Sequence, residues 1–188
     1  MVDIAVIANR GQYNHRIYRT LKYLGVEAQL LQNTTTVGEL EAMGPKGIVV
    51  GGGQYLEASG NSGPIIKAFA GRVPILGICL GHQLLAKLYG GEVRSAPIGE
   101  YADSEIIVDE EDVILRDLKP AFRAWVSHKD EVSALPRDFV VLAHSDTCQV
   151  EAMAHRSLPL YGVQFHPEVE HTPQGPEIFR NFLRVCGL

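Results

Sequence analysis

The 188-residue sequence lacks the features that mark several large classes of protein. It has no apolar run of about 18 residues and no signal peptide, so we expect no membrane span and a cytoplasmic location. It has no run of Lys and Arg, and its net charge is −5, which disfavours nucleic-acid binding. Three cysteines do not make a disulfide framework. The length fits one domain, residues 1–188, with a substantial core.

Strand and helix patterns alternate along most of the chain. Apolar runs predict strands at 2–8, 26–31, 47–50, 74–78 and 160–165. Helices are predicted at 16–24, after Gly63-Pro64, from Gly81 to Gly90-Gly91, and at the end of the chain, with Thr172 as N-cap and Pro173 in the first turn. Residues 92–150 instead predict short strands separated by turns. We therefore expect a three-layer α/β fold, with a mainly parallel central sheet, helices on both faces and a small antiparallel extension.

One cysteine, Cys79, is placed as a nucleophile. It lies between Gly77 and Gly81, where the apolar run 74–78 gives way to a helical pattern. Gly-x-Cys-x-Gly at a strand-to-helix turn is the thiol counterpart of the hydrolase nucleophile elbow, whose central residue is strained. The N-terminal dipole of the helix favours a thiolate. The alternative is a small core residue, which free cysteines often are.

The segment Gln164–Glu168 contains a candidate base for that nucleophile. His166 follows a predicted strand, at a position where catalytic groups of parallel α/β sheets collect. Residues two apart on an extended chain point the same way, so Glu168 can bond one imidazole nitrogen while the other faces sulfur. Alone, His-Pro-Glu is also compatible with a surface turn. Combined with Cys79, it predicts a Cys-His-Glu triad.

Three glycines, Gly51–Gly53, end the predicted strand 47–50. Glycine lets backbone N–H groups approach a ligand closely, and such groups can form an oxyanion hole. A flexible turn and a phosphate loop are the alternatives. No Gly-Lys-Ser/Thr follows and the chain has no Gly-x-Gly-x-x-Gly, so nucleotide binding is poorly supported.

No set of side chains has the sequence spacing of a metal site. His144 and His155 have no partner at such a spacing, and we interpret Cys148 and Cys186 as structural thiols. The acidic cluster 109–112 is interpreted as a solvated turn. We therefore expect no metal in this chain.

These motifs resemble those of the triad-type (class I) glutamine amidotransferases. Gly77–Gln83 is similar to their nucleophile motif and Phe165–Glu168 to their His–Glu motif, and the match covers nearly the whole chain. Within that family, three stretches resemble the glutaminase part of GMP synthetase. They are Gly162–Thr172, with its Glu-Val-x-His-Thr ending, Trp125–Asp130 and Gly11–Tyr13.

The resemblance implies a role for each site residue. The Cys79 thiolate attacks the side-chain carbonyl of glutamine, His166 protonates the departing ammonia and later activates water, and Glu168 orients His166. A thioester forms and is hydrolysed to glutamate. Backbone N–H groups of Gly53 and Leu80 hold the oxyanion. The glutamine itself is expected to contact Gly52, Gln83, Ser127 and His128.

The resemblance also implies a partner. GMP synthetase needs an ATP-pyrophosphatase domain with a Ser-Gly-Gly-Val-Asp-Ser-like loop, and this chain has none. We therefore expect the free-standing glutaminase subunit of a two-chain, archaeal-type enzyme, forming a heterodimer. It would deliver ammonia to a separate ATP-pyrophosphatase subunit that converts XMP to GMP. ATP and Mg²⁺ are used by that subunit, and no cofactor by this chain. We place the contact near His128, Lys129, Asp130 and residues 170–172, which adjoin the motifs without a role in the triad.

Two departures from the family pattern affect the site. The family usually reads Ser-Gly-Gly-Pro where this chain has Gly51–Gln54, and Lys129 stands where glycine is common. Losing the proline leaves the loop less fixed, so we expect low glutaminase activity in isolation. Three alternatives stay open: a glutaminase for another synthase such as anthranilate synthase, a lone hydrolase of γ-glutamyl compounds, and a non-catalytic binding protein. The Glu-Val-x-His-Thr ending disfavours the first, and the intact triad disfavours the last.

Overall fold

The computed structural model describes residues 2–188, apart from the side chains of Pro97 and Ile98. Its strands are β1 (Ile4–Asn9), β2 (Ala28–Gln32), β3 (Gly47–Gly53), β4 (Ile75–Ile78), β5 (Glu92–Val108), β6 (Ala121–Ala134), β7 (Phe139–His144), β8 (Ala152–His155) and β9 (Leu160–Val163). Its α-helices are α1 (Asn14–Tyr23), α2 (Val37–Met43), α3 (Ser62–Phe69), α4 (Leu80–Leu88) and α5 (Gly175–Val185). Short 3-10 turns occupy Leu56–Ala58 and Val113–Leu115. Within residues 2–188, no helix is long and apolar enough to span a membrane.

The described strands form one sheet in the order β2-β1-β3-β4-β9-β8-β7-β5-β6. From β2 to β9 every neighbouring pair is parallel, and from β9 to β6 every pair is antiparallel. The predicted α/β sheet with an antiparallel extension is confirmed. The expectation of short strands in 92–150 is wrong, because β5 has 17 residues and β6 has 14. These two strands pair with each other over most of their length, interrupted by a register shift between Ser95 and Glu100.

Side chains of the parallel strands alternate between two apolar cores, one on each face of the sheet. On β1, Ile4 and Val6 belong to one core, while Ala5 and Ile7 belong to the other. The first core is closed by apolar residues of α1 and α5, and the second by those of α2, α3 and α4. This alternation of buried residues is what places helices on both faces and makes the fold three-layered.

Local sequence explains where most helices begin and end. Helix α2, which the hydrophobic pattern did not predict, starts with a capping box in which Thr36 and Glu39 satisfy each other's backbone N–H groups. Helix α1 is followed by Gly25 and α4 by Gly90, both with positive φ. The predicted start of the last helix is wrong. Its N-cap is Gln174 rather than Thr172, with Pro176 in its first turn, because the Thr172 hydroxyl bonds elsewhere.

Candidate active site

The carboxyl ends of β1, β3, β4 and β9 meet at one edge of the sheet and form the wall of a cavity of about 480 Å³. Ligand sites of parallel α/β sheets lie at this edge, where loops leave neighbouring strands. The antiparallel strand β6 closes the opposite side. The lining includes the predicted site residues Gly52, Gly53, Cys79, Gln83, Ser127, His128, His166 and Glu168.

Cys79 occupies a strained turn between β4 and α4. Its φ is 53° and its ψ is −106°, a backbone conformation that residues other than glycine rarely adopt. The flanking glycines are required by close packing. A Cβ on Gly81 would lie 2.1 Å from the Val50 carbonyl oxygen, and one on Gly77 would lie 2.5 Å from the Gly81 backbone. The predicted nucleophile elbow is therefore present, with Cys79 almost buried at the start of α4.

His166 and Glu168 are paired beneath the sulfur. The imidazole Nδ1 lies 2.8 Å from Glu168 Oε1, and both side chains are almost fully buried. Burial by itself lowers the pKa of His166, but the Glu168 carboxylate and the Cys79 sulfur outweigh it and raise that pKa well above its ordinary value. The Tyr13 ring meets the imidazole edge-on, with 4.9 Å between centroids. The raised pKa favours an imidazolium that faces the Cys79 sulfur.

The position of His166 is set by a hydrogen-bonded bridge that the sequence did not reveal. The His166 N–H donates to the Trp125 carbonyl oxygen at 2.9 Å, and the Trp125 N–H donates to Thr172 Oγ1 at 3.0 Å. The Thr172 hydroxyl then donates to the His166 carbonyl oxygen at 2.7 Å. Thr172 thus fastens the catalytic segment to β6, and its burial removes it from the surface where we had placed a partner contact.

The glycine loop is held by neighbouring asparagines. Asn9 Nδ2 donates to the Gly51 carbonyl oxygen at 3.0 Å, and Asn14 Nδ2 donates to that of Gly52 at 3.0 Å. The Gly11 N–H also donates to the Gly52 carbonyl oxygen, at 3.1 Å. Three hydrogen bonds therefore hold the carbonyls of Gly51 and Gly52, and the expectation that the loop is less fixed than one with proline stays a prediction.

Gly52 borders the reacting groups directly. A Cβ placed on it would lie 3.5 Å from His166 Cε1 and 3.7 Å from Cys79 Cβ. Gly53 follows at the end of β3, and Leu80 begins α4, so its N–H has no acceptor within the helix. The loop and the helix start lie on the same cavity as Cys79. The assignment of Gly53 and Leu80 as oxyanion donors stays a prediction.

The predicted substrate residue Gln83 lies on the first turns of α4. Its Nε2 donates to the Asp130 carbonyl oxygen at 2.7 Å and to Gln164 Oε1 at 3.1 Å. Both amide hydrogens are therefore used, and the Gln83 carbonyl oxygen is left for a ligand donor. The Ser127 carbonyl oxygen is 3.9 Å from Cys79 Sγ.

The three residues that follow Ser127 on β6 lie partly on the rim of the cavity and partly in the protein interior. Lys129 is exposed and Asp130 half-exposed, and both lie on the rim of the cavity. The His128 imidazole is buried, and burial lowers its pKa to about 4. Its side chain lies near Cys148 and Glu151, a cluster that the sequence did not predict.

Comparison with known proteins gives the chain a family. Residues 5–186 match the family model for class I glutamine amidotransferases. The chain belongs to this family. Its fold also matches a crystal structure of a Thermoplasma acidophilum protein provisionally assigned as one subunit of GMP synthase. The TM-score is 0.93 and the identity 38%, over 100% of this chain and 94% of the other.

Two curated relatives of this amidotransferase are named as one subunit of glutamine-hydrolysing GMP synthase. The Pyrococcus furiosus protein is 54% identical over 185 residues, which cover 98% of each chain. The Methanosphaera stadtmanae protein is 51% identical over 185 residues, again 98% of each chain. The resemblance found in the motifs of this sequence is thereby confirmed at the level of the family.

Proposed function

We propose that this chain is the glutaminase subunit of a two-chain GMP synthase. It hydrolyses glutamine to glutamate and passes the ammonia to a second subunit. The observation that carries the proposal is Cys79 on a strained elbow beside the buried His166–Glu168 pair. Identity above 50% to proteins named as one subunit of this synthase, over almost the entire chain, supports the choice of synthase.

The chemistry begins with the Cys79 thiolate. It attacks the side-chain carbonyl of glutamine, and the N–H groups of Gly53 and Leu80 stabilise the resulting oxyanion. One such donor is worth about 3 kcal/mol of barrier. His166 gives its proton to the departing nitrogen, ammonia leaves, and a γ-glutamyl thioester stays on sulfur. His166 then takes a proton from water, which attacks the thioester and releases glutamate, while Glu168 stabilises the charged imidazole.

The buried Gln83 network supports a role in recognising free glutamine. With both amide hydrogens engaged by β6 and Gln164, the Gln83 carbonyl oxygen is fixed as an acceptor for the α-amino group. The Ser127–His128 segment and Gly52 line the same cavity. These contacts would distinguish the amino acid from a glutamine side chain within a protein.

The second subunit in this proposal is an ATP-pyrophosphatase that adenylates XMP with ATP and Mg²⁺, and the two chains form a cytoplasmic heterodimer. Ammonia must reach that subunit before it is protonated, since ammonium is not a nucleophile. Lys129 is exposed on the cavity rim, and Glu170 and His171 are exposed just after Glu168, so we place the contact there. His171 packs against Trp125 with 5.2 Å between ring centroids, which fixes its ring beside the segment that holds His166.

The experiment that tests the proposal is glutamate release from glutamine by the purified chain. It is run alone and then with the candidate ATP-pyrophosphatase subunit, ATP, Mg²⁺ and XMP. Cys79→Ala should abolish release, while Cys186→Ala, a matched change at a cysteine outside the cavity, should leave it unchanged. Release that rises with the partner and yields GMP is the expected result. Release that ignores the partner would indicate another synthase or a lone hydrolase, and no release at all would refute glutaminase activity.

A further inference from the structure

A second group of nucleophilic and titratable side chains lies behind the active site. His128 on β6 and two residues of the segment before β8, Cys148 and Glu151, bring one imidazole nitrogen, one thiol and one carboxylate oxygen within 4.8 Å of one another. All three residues are buried. We call them the inner cluster. The segments that carry them are separated along the chain by β7, so only the folded sheet brings them together.

Three nitrogen and oxygen atoms of the inner cluster lack hydrogen-bond partners among the described residues. Neither ring nitrogen of His128 has one, and neither does Glu151 Oε2. The Ser145 hydroxyl donates to the other oxygen, Glu151 Oε1, at 2.9 Å, and also accepts from the Cys148 N–H at 3.0 Å. Ser145 therefore fixes both residues while leaving Oε2 free. Unpartnered polar atoms in a buried place are costly, which makes these atoms candidates to bind a ligand.

The described surroundings of the inner cluster are rich in carboxylates and poor in positive charge. The carboxylates of Glu100 on β5 and Glu131 on β6 lie close to that of Glu151. Among the described residues, the one ion pair between these carboxylates and a Lys or Arg joins Glu131 to the exposed Arg94, at 3.6 Å. Glu100 Oε2 has no hydrogen bond and lies 3.8 Å from His128 Nε2. A bound cation would neutralise this acidic environment.

We propose that the inner cluster binds one Zn²⁺ ion through His128, Cys148 and Glu151. Imidazole, thiolate and carboxylate are the ligand types that zinc takes in tetrahedral sites. Ligand atoms of such a site lie about 3.5 Å apart, so the cluster must contract by about 1 Å on binding. Cys148 binds as thiolate, and its proton is released to solvent. The hydrogen bonds from Ser145 give the site the outer-shell support that metal ligands need.

The position of the site gives the ion a local effect. His128 follows Ser127, whose carbonyl oxygen lies 3.9 Å from Cys79 Sγ, and both line the glutamine cavity. An ion on the His128 imidazole would hold this part of β6 in one position. The proposal concerns residues outside the triad and does not depend on which synthase the chain serves.

Titration of the full chain with Zn²⁺ or Co²⁺ alone tests the site. Cys79 and His166 are also potential ligands, so the parent protein is Cys79→Ala. We expect one equivalent of Co²⁺ to bind, with the near-ultraviolet absorption of a thiolate–cobalt bond. Cys148→Ser should remove that absorption, and Glu151→Gln should weaken Zn²⁺ binding at least tenfold. Cys186→Ser, at a cysteine outside the inner cluster, should change neither.

A second measurement separates lost binding from lost folding. Far-ultraviolet circular dichroism and thermal unfolding without metal should show each variant folded. Glu151→Gln is the safest probe, because glutamine has nearly the same shape and its amide oxygen can still accept from Ser145. Three results would overturn the proposal. The first is a thiolate–cobalt absorption that the wild-type chain shows and the Cys79→Ala parent lacks. The others are persistence of that absorption in folded Cys148→Ser, and no metal binding by the folded parent.

Discussion

Replacing Thr172 with valine should loosen the catalytic histidine without altering the shape of the core. Valine has nearly the same volume, so the change removes two hydrogen bonds and creates no cavity. The bonds are the 2.7 Å donation to the His166 carbonyl oxygen and the 3.0 Å acceptance from the Trp125 N–H. Thr172 is 1% exposed, so water cannot replace them. Leaving a buried polar group unpaired costs about 1–3 kcal/mol, and two groups give a loss of about 3 kcal/mol. That is a large share of a typical unfolding free energy of about 5–15 kcal/mol.

Equilibrium unfolding in urea measures the loss, and glutamate release measures its effect on the site. Thr172→Ser keeps the hydroxyl and is the matched control, so it should retain most of the stability and activity. In Thr172→Val the value of kcat should fall at least tenfold, because His166 loses its fixed position beneath the sulfur. A valine variant that unfolds within about 0.5 kcal/mol of the parent, a range typical of inconsequential substitutions, would refute the role given to this bridge.

Three further predictions concern the active site, and the second includes Gly81→Ala as a contrasting variant. Glu168→Gln should lower the pKa of His166, so the alkaline limb of the pH–rate profile moves to lower pH and kcat/KM falls at least about a hundredfold. Gly52→Ala should fold normally, since its Cβ meets ordinary contacts at 3.5 and 3.7 Å, yet hydrolyse glutamine at least tenfold more slowly because the methyl group occupies reaction space. Gly81→Ala, whose Cβ would lie 2.1 Å from a backbone oxygen, should instead lower the thermal unfolding temperature. Cys79→Gly and Cys79→Ala are both inactive, but the glycine variant should have the larger free energy of unfolding in urea, by about 1 kcal/mol, because glycine tolerates a φ of 53°.

Each of these predictions has an opposing outcome. An unchanged alkaline limb in Glu168→Gln would mean that the carboxylate does not control the imidazole. A fully active Gly52→Ala would place the substrate carbonyl away from the glycine loop. Equal stability of the glycine and alanine variants at Cys79 would mean that the elbow stores no strain.

The sequence revealed the features that depend on local geometry. Gly77 and Gly81 around Cys79 specify a turn within five residues, and His166 and Glu168 are two apart on an extended segment, so their alignment follows from strand geometry. Helix α2 was also readable, since Thr36 and Glu39 have capping-box spacing. The apolar residues of this segment were too few to predict a helix from their spacing.

What the sequence did not reveal depends on contacts between distant segments. The bond from Asn14 to Gly52 spans 38 positions, and that from Trp125 to Thr172 spans 47. Thr172 has the sequence pattern of an N-cap, and only the approach of β6 gives its hydroxyl better partners. The inner cluster escaped notice for the same reason. His128 and Cys148 come together through strand order rather than spacing.

The parallel and antiparallel halves of the sheet contribute different walls to this cavity. The nucleophile and the glycine loop rise from buried parallel strands, where any shift disturbs two apolar cores at once. The opposite wall belongs to β6, the last strand of the sheet, which has a neighbour on one side only. Changes at exposed rim positions of that wall, such as Lys129, can therefore accumulate without displacing the sulfur, while the Trp125 backbone continues to hold His166. A single fold can in this way keep its bond-breaking chemistry constant while the surface that selects and receives other molecules is revised.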